Sequence, residues 1–418
     1  MERMQSFRKS LSELPSRREF LLSTGAILAT WSVEAQTNST SADDDLFEFS
    51  DDEVAAILKE DGEPGFVPRA VIENYWFQRD EAQRDSPTWP SDEDSFDYRH
   101  IAGVVPLGTT FEISASVLQE LIAACSFSPS TNARIVLFGL RGCSLAEGVE
   151  SVDFSARHEI RTTRPDHLNL RCLLGVWNRD TEKVALFSGS TVPNVDLMQA
   201  FVDGGSGCNM MPTGFHKYVV GPHRGKRQPG AFRQRDPLWV LRTPENLGYS
   251  LSDQTEIWDD LDGSLPFDNI HAAMLNGRSK PPFFSSAGCQ VVAGRYRDGV
   301  PTGAWREFRK AAGLAHPPEK TNNGGGTRDD GQKFDYMLWV GDEAALAASD
   351  QTTRTLRFGS RGPRVVDLQK ALGFANAEVD GAFGRYTLGR FILWQREQKR
   401  ALTGVVSERD AEALGVDL

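Results

Sequence analysis

The chain has 418 residues, enough for two or three domains and a sizeable core. Apolar residues make up 39% and charged residues 25%, an ordinary globular balance that excludes a disordered or low-complexity chain. The formal charge of −12, with a pI near 5.2, excludes nucleic acid as the partner, because neutralising phosphates needs clustered Lys and Arg.

Residues 16–35 read S-R-R-E-F-L-L-S-T-G-A-I-L-A-T-W-S-V-E-A. Arg17-Arg18 precedes Phe20-Leu21-Leu22 and a short apolar run, and Val33-Glu34-Ala35 fits a cleavage site. The run is too short and too interrupted to span a bilayer. Residues 1–35 thus resemble a twin-arginine signal peptide. The resemblance implies export by the twin-arginine route to the periplasm or cell envelope. Elsewhere no run reaches the roughly eighteen apolar residues of a membrane span, so no transmembrane segment is expected in the mature protein. Residues 36–65, with Asp43-Asp44-Asp45, read as an acidic flexible linker.

Residues 66–97 carry Trp76, Trp89 and several prolines without a clean period, and read as irregular packing. Ser116 and Gln119 fit a capping box ahead of a short helix over 121–125. The apolar run 133–140 is a strand. Cys143 follows a glycine and rivals any other cysteine as nucleophile, but no base stands at a recognisable spacing, which leaves it a packing role. Residues 170–191 read as a hairpin turning at 178–182. Gly204-Gly205-Ser206-Gly207 lacks the Lys-Ser/Thr of a phosphate loop, and Ser206 does not lie in a hydrolase elbow. Strands are expected at 215–220 and 239–242. His216 and His223, with Cys208, lack the tight pairs of zinc sites, so no metal is expected. Residues 252–268 are strongly acidic and read as a solvated loop, or as a lid that attracts cationic groups of a stem peptide. Further on, 290–294 reads as a strand, 304–312 as a helix, 316–332 as a flexible loop, and 334–340 as the last strand of a main domain spanning 66–350.

Residues 269–294 hold His271 and, after a Ser-Ser-Ala-Gly turn, Cys289. A thiolate is a strong nucleophile and needs a neighbouring base to form near neutral pH. Adjacent strands would bring the two side chains together. Gly288 has no Cβ, so backbone there can approach a substrate, and the amides of Gly288 and Cys289 offer an oxyanion hole. Fourteen residues separate His271 from Ser286-Ala287-Gly288-Cys289. This resembles the signature of the L,D-transpeptidases, the YkuD-like enzymes that cross-link peptidoglycan: a His, a spacer, then Ser/Thr-His-Gly-Cys. Ala287 stands where the motif has its histidine, and Gln290-Val291 stands where it has an apolar residue followed by Asn or Arg. The strand ending in Ser-Gly-Ser-Thr, followed by a loop and Pro212-Thr213-Gly214, loosely resembles a second element of that fold. The resemblance implies Cys289 as nucleophile, His271 as base, Ser286 and Gly288 as turn or oxyanion residues, and no cofactor.

Residues 351–418 change character. Leu356-Arg357-x-Gly359-x-x-Gly362-x-x-Val365-x-x-Leu368-Gln369, Asp380-Gly381-x-Phe383-Gly384 and Phe391-x-x-x-Gln395 follow in order, with helices expected near each end and in between. They resemble the three-helix peptidoglycan-binding module, which binds wall glycopeptide without chemistry. The expected fold class is therefore mainly β, a YkuD-like sheet domain with short helices, plus a small all-α three-helix C-terminal domain. The implied function is an exported acyltransferase that forms a thioester with a stem peptide and passes it to an amine, or to water. The alternatives are a non-catalytic peptidoglycan-binding protein with a degenerate transpeptidase domain, or a cysteine peptidoglycan hydrolase. The five cysteines are too sparse for a disulfide scaffold. Their odd number leaves at least one unpaired, and Cys125, Cys143, Cys172 and Cys208 allow three pairings.

Overall fold

A computed structural model describes residues 100–101, 103–165, 167–194, 197, 208–223, 228–235, 240–243, 268–274, 282–318 and 327–418. The expected export signal, the linker, residues 66–97, the 204–207 loop and the acidic stretch 252–267 lie outside these residues.

The fold is mainly β and is built around a closed barrel of eight strands. In ring order these are β13 (Gln290–Val292), β12 (Ile270–Ala272), β10 (Gln228–Gln234), β9 (Gly214–His223), β16 (Lys333–Val340), β2 (Ile135–Arg141), β6 (Cys172–Asn178) and β7 (Lys183–Ser190). The ring closes where Val291 and Val292 of β13 pair with Ser190 and Gly189 of β7. The same edge of β7 pairs, over its first half, with β4 (Ser151–Ser155). The β12–β13 and β16–β2 pairs are parallel, and the other pairs of the ring are antiparallel.

Alternation along each strand sorts the side chains. Leu137, Leu174, Val176, Phe187, Tyr218, Val220, Phe232, Ile270, Val292, Tyr336 and Leu338 come from all eight strands and share one buried cluster, as the inside of a closed ring brings them together; the cluster continues into the C-terminal segment. Val136, Phe138, Leu140, Leu173, Trp177, Met337 and Trp339 point outward. They are covered by β1 (Thr110–Ser114), α1 (Ala115–Ala124), β5 (Arg157–Thr162) and α3 (Gly341–Ala348). Strands buried on both faces read as continuous apolar runs, which is why β2, β6 and β16 are legible in the sequence. Trp305 and Phe308 of α2 (Ala304–Ala311) reach into the barrel core, where Phe308 meets Phe187 and Phe232 edge-on, with ring centroids 5.3 and 5.5 Å away.

Helix α1 begins two residues before the expected capping box: Ser114, not Ser116, is the N-cap, its Oγ accepting from the Val117 amide. No disulfide forms, and all five cysteines are buried thiols. Among the described residues no helix is long and apolar enough to cross a membrane.

The C-terminal segment contains helices α4 (Pro363–Ala371), α5 (Arg385–Glu397) and α6 (Glu408–Leu414). Its approach chain is tied to the barrel body by backbone bonds from Thr355 to Ala124, Arg361 to Ser126, and Phe215 to Phe358. The glutamines of both repeated motif positions act as clamps. Gln369 accepts from the amides of Asp380 and Gly381 and donates to Asp380 Oδ1 and the Ala382 carbonyl. Gln395 does the same for the later turn, accepting from Gly404 and donating to Thr403. Those turns are therefore written into the helices that precede them.

Candidate active site

Ile270 and Ala272 face the barrel core, so His271 between them points to the outer wall. On β9 Val220 faces inward and His223, three residues on, faces outward. Cys289 immediately precedes β13 and packs outside the barrel with Val291, Ala273 and Phe284. The parallel β12–β13 register sets His271 opposite Val291, so the turn before β13 delivers Cys289 beside the imidazole. His271 on β12 and the turn that carries Cys289 into β13 are thus set side by side. A ring nitrogen of His271, a ring nitrogen of His223 and the Cys289 sulfur lie within 4.8 Å of one another. The two histidines are buried, and Cys289 keeps 9% exposure.

His271 Nδ1 lies 2.8 Å from the Ala272 carbonyl oxygen. A carbonyl only accepts, so Nδ1 carries the hydrogen and Nε2 presents a lone pair. That is the tautomer a thiol-proton acceptor needs. The ring of His223 stacks on His271 with centroids 4.2 Å apart and planes inclined by 16°. Asn269 sits on the same face of its strand as His271, and its Nδ2 is 3.1 Å from His223 Nδ1.

The nucleophile turn is held from three directions. Ser286 Oγ donates to the Cys289 carbonyl at 2.7 Å and accepts from the Gly288 amide at 3.0 Å. Asn194 binds the turn's other side, through its amide to the Ser286 carbonyl and its Nδ2 to the Phe284 carbonyl, at 2.8 and 2.9 Å. From inside the barrel, Gln290 Nε2 donates to the Gly288 carbonyl, while the Tyr336 hydroxyl donates to Gln290 Oε1, both at 3.3 Å. Gly288 has φ of +146°, a backbone state that only glycine adopts without strain. One expectation changes here. The Gly288 amide is engaged by Ser286, so it is not an open oxyanion donor; Ser286 and Gly288 shape the turn instead.

The rival thiols are poor nucleophiles. Burial, Asp342 and Cys172 together push the Cys143 thiol well above its usual range, and burial raises Cys125 and Cys172 as well. His216 faces the barrel interior, stacked on Phe358 with centroids 5.1 Å apart, and burial lowers it to about 3. Cys208 lies on β8 (Cys208–Met210) against β11 (Leu241–Thr243). The metal set weighed from sequence, Cys208 with His216 and His223, is therefore not the one that converges. Among the described residues the group able to hold an ion is His223, His271 and Cys289, a soft nitrogen and sulfur set of the kind that suits zinc or copper. Sequence reasoning missed His223 and Asn269 as members of the site. The one available signal was that Asn269 and His271, two apart on a strand, share a face.

In comparison with known proteins, no family model, no curated protein and no solved structure matches the chain.

Proposed function

We propose that the chain is an exported, cysteine-dependent acyltransferase of the L,D-transpeptidase type, with a YkuD-like catalytic domain and a C-terminal peptidoglycan-binding domain. The observation that carries this reading is the couple itself: a ring nitrogen of His271 lies within 4.8 Å of the Cys289 sulfur, and the hydrogen held on Nδ1 against Ala272 makes Nε2 the basic nitrogen. In the first half-reaction the S–H proton passes to His271 Nε2. The sulfur then attacks the carbonyl of the diamino acid in a tetrapeptide stem. The C–N bond to the terminal D-alanine breaks, and the leaving amine takes the proton from His271. An amine of a second stem then attacks the thioester, and the thiol is regenerated. The ordered glutamine-clamped turns of the C-terminal segment support its place as the wall-binding part, with no role in the chemistry.

The test is mass spectrometry of the full chain with a carbapenem or a tetrapeptide stem. The wild type is expected to form an acyl adduct on Cys289 near neutral pH, and Cys289→Ala to form none and to lose turnover. Full turnover by Cys289→Ala refutes the assignment. A wild-type thiol that stays unmodified favours the non-catalytic wall-binding reading.

A further inference from the structure

The two stacked imidazoles are not equivalent, and their hydrogen bonds say how they differ. The Gln234 backbone amide, which can only donate, lies 3.0 Å from Asn269 Oδ1. That contact fixes the amide orientation of Asn269, so its NH₂ end faces His223 Nδ1 at 3.1 Å. An NH₂ group only donates, so Nδ1 of His223 is an acceptor and its ring hydrogen sits on Nε2. His271 has the opposite arrangement, with hydrogen on Nδ1 and a lone pair on Nε2. Beside one thiol the fold therefore sets one ring that takes a proton and one that offers an N–H. With the Gly288 amide already bound to Ser286, the loop supplies one donor fewer than its sequence suggests.

We propose that His223 is the hydrogen-bond donor that stabilises the Cys289 thiolate, with Asn269 as the residue that sets its tautomer. The proposal rests on the acyltransferase reading and adds to it a third side chain. When the S–H bond breaks, the proton goes to His271 Nε2 and the electron pair stays on sulfur. A ring nitrogen of His223 lies within 4.8 Å of the sulfur, and the ring's one hydrogen, on Nε2, is the donor His223 has for that anion. Stacking on His271 holds the two rings nearly parallel, with centroids 4.2 Å apart. A charge-assisted bond of this kind favours the charged form of its acceptor. The same tautomer opposes metal binding at rest. A metal-bound imidazole carries its hydrogen on the far nitrogen and donates it outward, whereas Asn269 offers His223 a second donor there.

The test is the pH profile of iodoacetamide labelling, read by intact mass on the full chain. The variants are His223→Leu, His223→Gln and Asn269→Asp. Gln keeps an N–H close to the place of Nε2. Asp accepts from Nδ1, which strips Nε2 of its hydrogen while the ring stays. The Leu and Asp variants are expected to label about tenfold more slowly near neutral pH, with the profile moved to higher pH by about one unit. Their rates at the alkaline plateau should match the wild type, which a merely packing role does not predict. The Gln variant is expected to keep most of the wild-type rate. If Leu fails to fold, the Asp and Gln variants decide. An unchanged profile in Leu or Asp, or a Gln variant as slow as Leu, overturns the donor role and leaves the His271–Cys289 couple standing. A wild-type thiol that labels only at alkaline pH overturns both. One equivalent of zinc is expected to leave wild-type labelling unprotected and to protect Asn269→Asp. Protection of the wild type by equimolar zinc shows that the three side chains are ligands and overturns the proposal.

Discussion

Arg357–Glu343 and His271–Cys289 are both polar pairs buried in this protein, and they are put together in opposite ways. Arg357 donates to both carboxylate oxygens of Glu343 and to Thr213 and Thr355. Glu343 also takes His100 Nε2 at 2.9 Å and the Val340 amide at 3.2 Å. Burial alone would raise the Glu343 carboxyl, but Arg357 and His100 outweigh it and hold it well below the usual range. The second pair sits among Ala273, Phe284 and Val291, and keeps an imidazole lone pair and a thiol side by side. Where opposite charges meet in a bidentate pair, the cluster fixes structure. Where an imidazole lies beside a thiol, the cluster can do chemistry.

The contrast predicts effects of different kinds. His271→Ala is expected to slow neutral-pH labelling of Cys289 by about a hundredfold or more, the scale of a lost general base, while the thermal midpoint stays near wild type. Arg357→Ala should do the reverse. It is expected to cost about 3–5 kcal/mol of stability in urea unfolding, because the buried charge of Glu343 loses its bidentate partner and keeps His100 and the Val340 amide. Labelling of the folded fraction should not change. The double change Arg357→Met with Glu343→Leu should recover much of that loss, since no charge is stranded.

A pH titration sharpens the same point. The native carboxyl of Glu343 is held below its unfolded value, so its contribution is complete above the ordinary Glu range, near pH 4.3. It is lost as pH falls below that range toward the native value. Acid unfolding should therefore steepen below about pH 4 in the wild type and be blunted in the double variant. A smaller effect is expected in the C-terminal segment. Gln369→Ala leaves the Asp380 and Gly381 amides without their acceptor and should cost about 1–2 kcal/mol, read by thermal unfolding. The smallest is Tyr336→Phe, about 1 kcal/mol, with a modest slowing of Cys289 labelling as Gln290 loses its anchor.

How much of this was legible follows from the kind of signal each part carries. Strands β2, β6, β7 and β16 and helices α2, α4, α5 and α6 announce themselves by apolar runs or helical spacing. Strand β10, Gln-Pro-Gly-Ala-Phe-Arg-Gln, has no such run; its place comes from pairing with β9 and β12. The His271–Cys289 couple was visible because its spacer and turn are local. His223 was not, because it joins the site through lateral strand pairing, which linear spacing does not record. Gln290 reads in the sequence as a departure from a motif. In the fold it is the inward-facing neighbour of the nucleophile, tying the Gly288 carbonyl to Tyr336. Tyr336 in turn lies over Gly139, where a Cβ would collide with its hydroxyl.

The closing pair of the ring carries one more implication. Strand β13 follows Cys289 directly and is also the stave that shuts the barrel, held to β7 at Val291–Ser190 and Val292–Gly189 and by one more backbone bond from Ala293 to Ser188. A load placed on the sulfur is thus a load on the latch of the whole ring. Local opening at that latch would loosen the turn that carries the nucleophile. Deuterium uptake at the Val291 and Val292 amides, next to the sulfur in sequence, would accordingly register occupancy of the thiol with no substrate signal required.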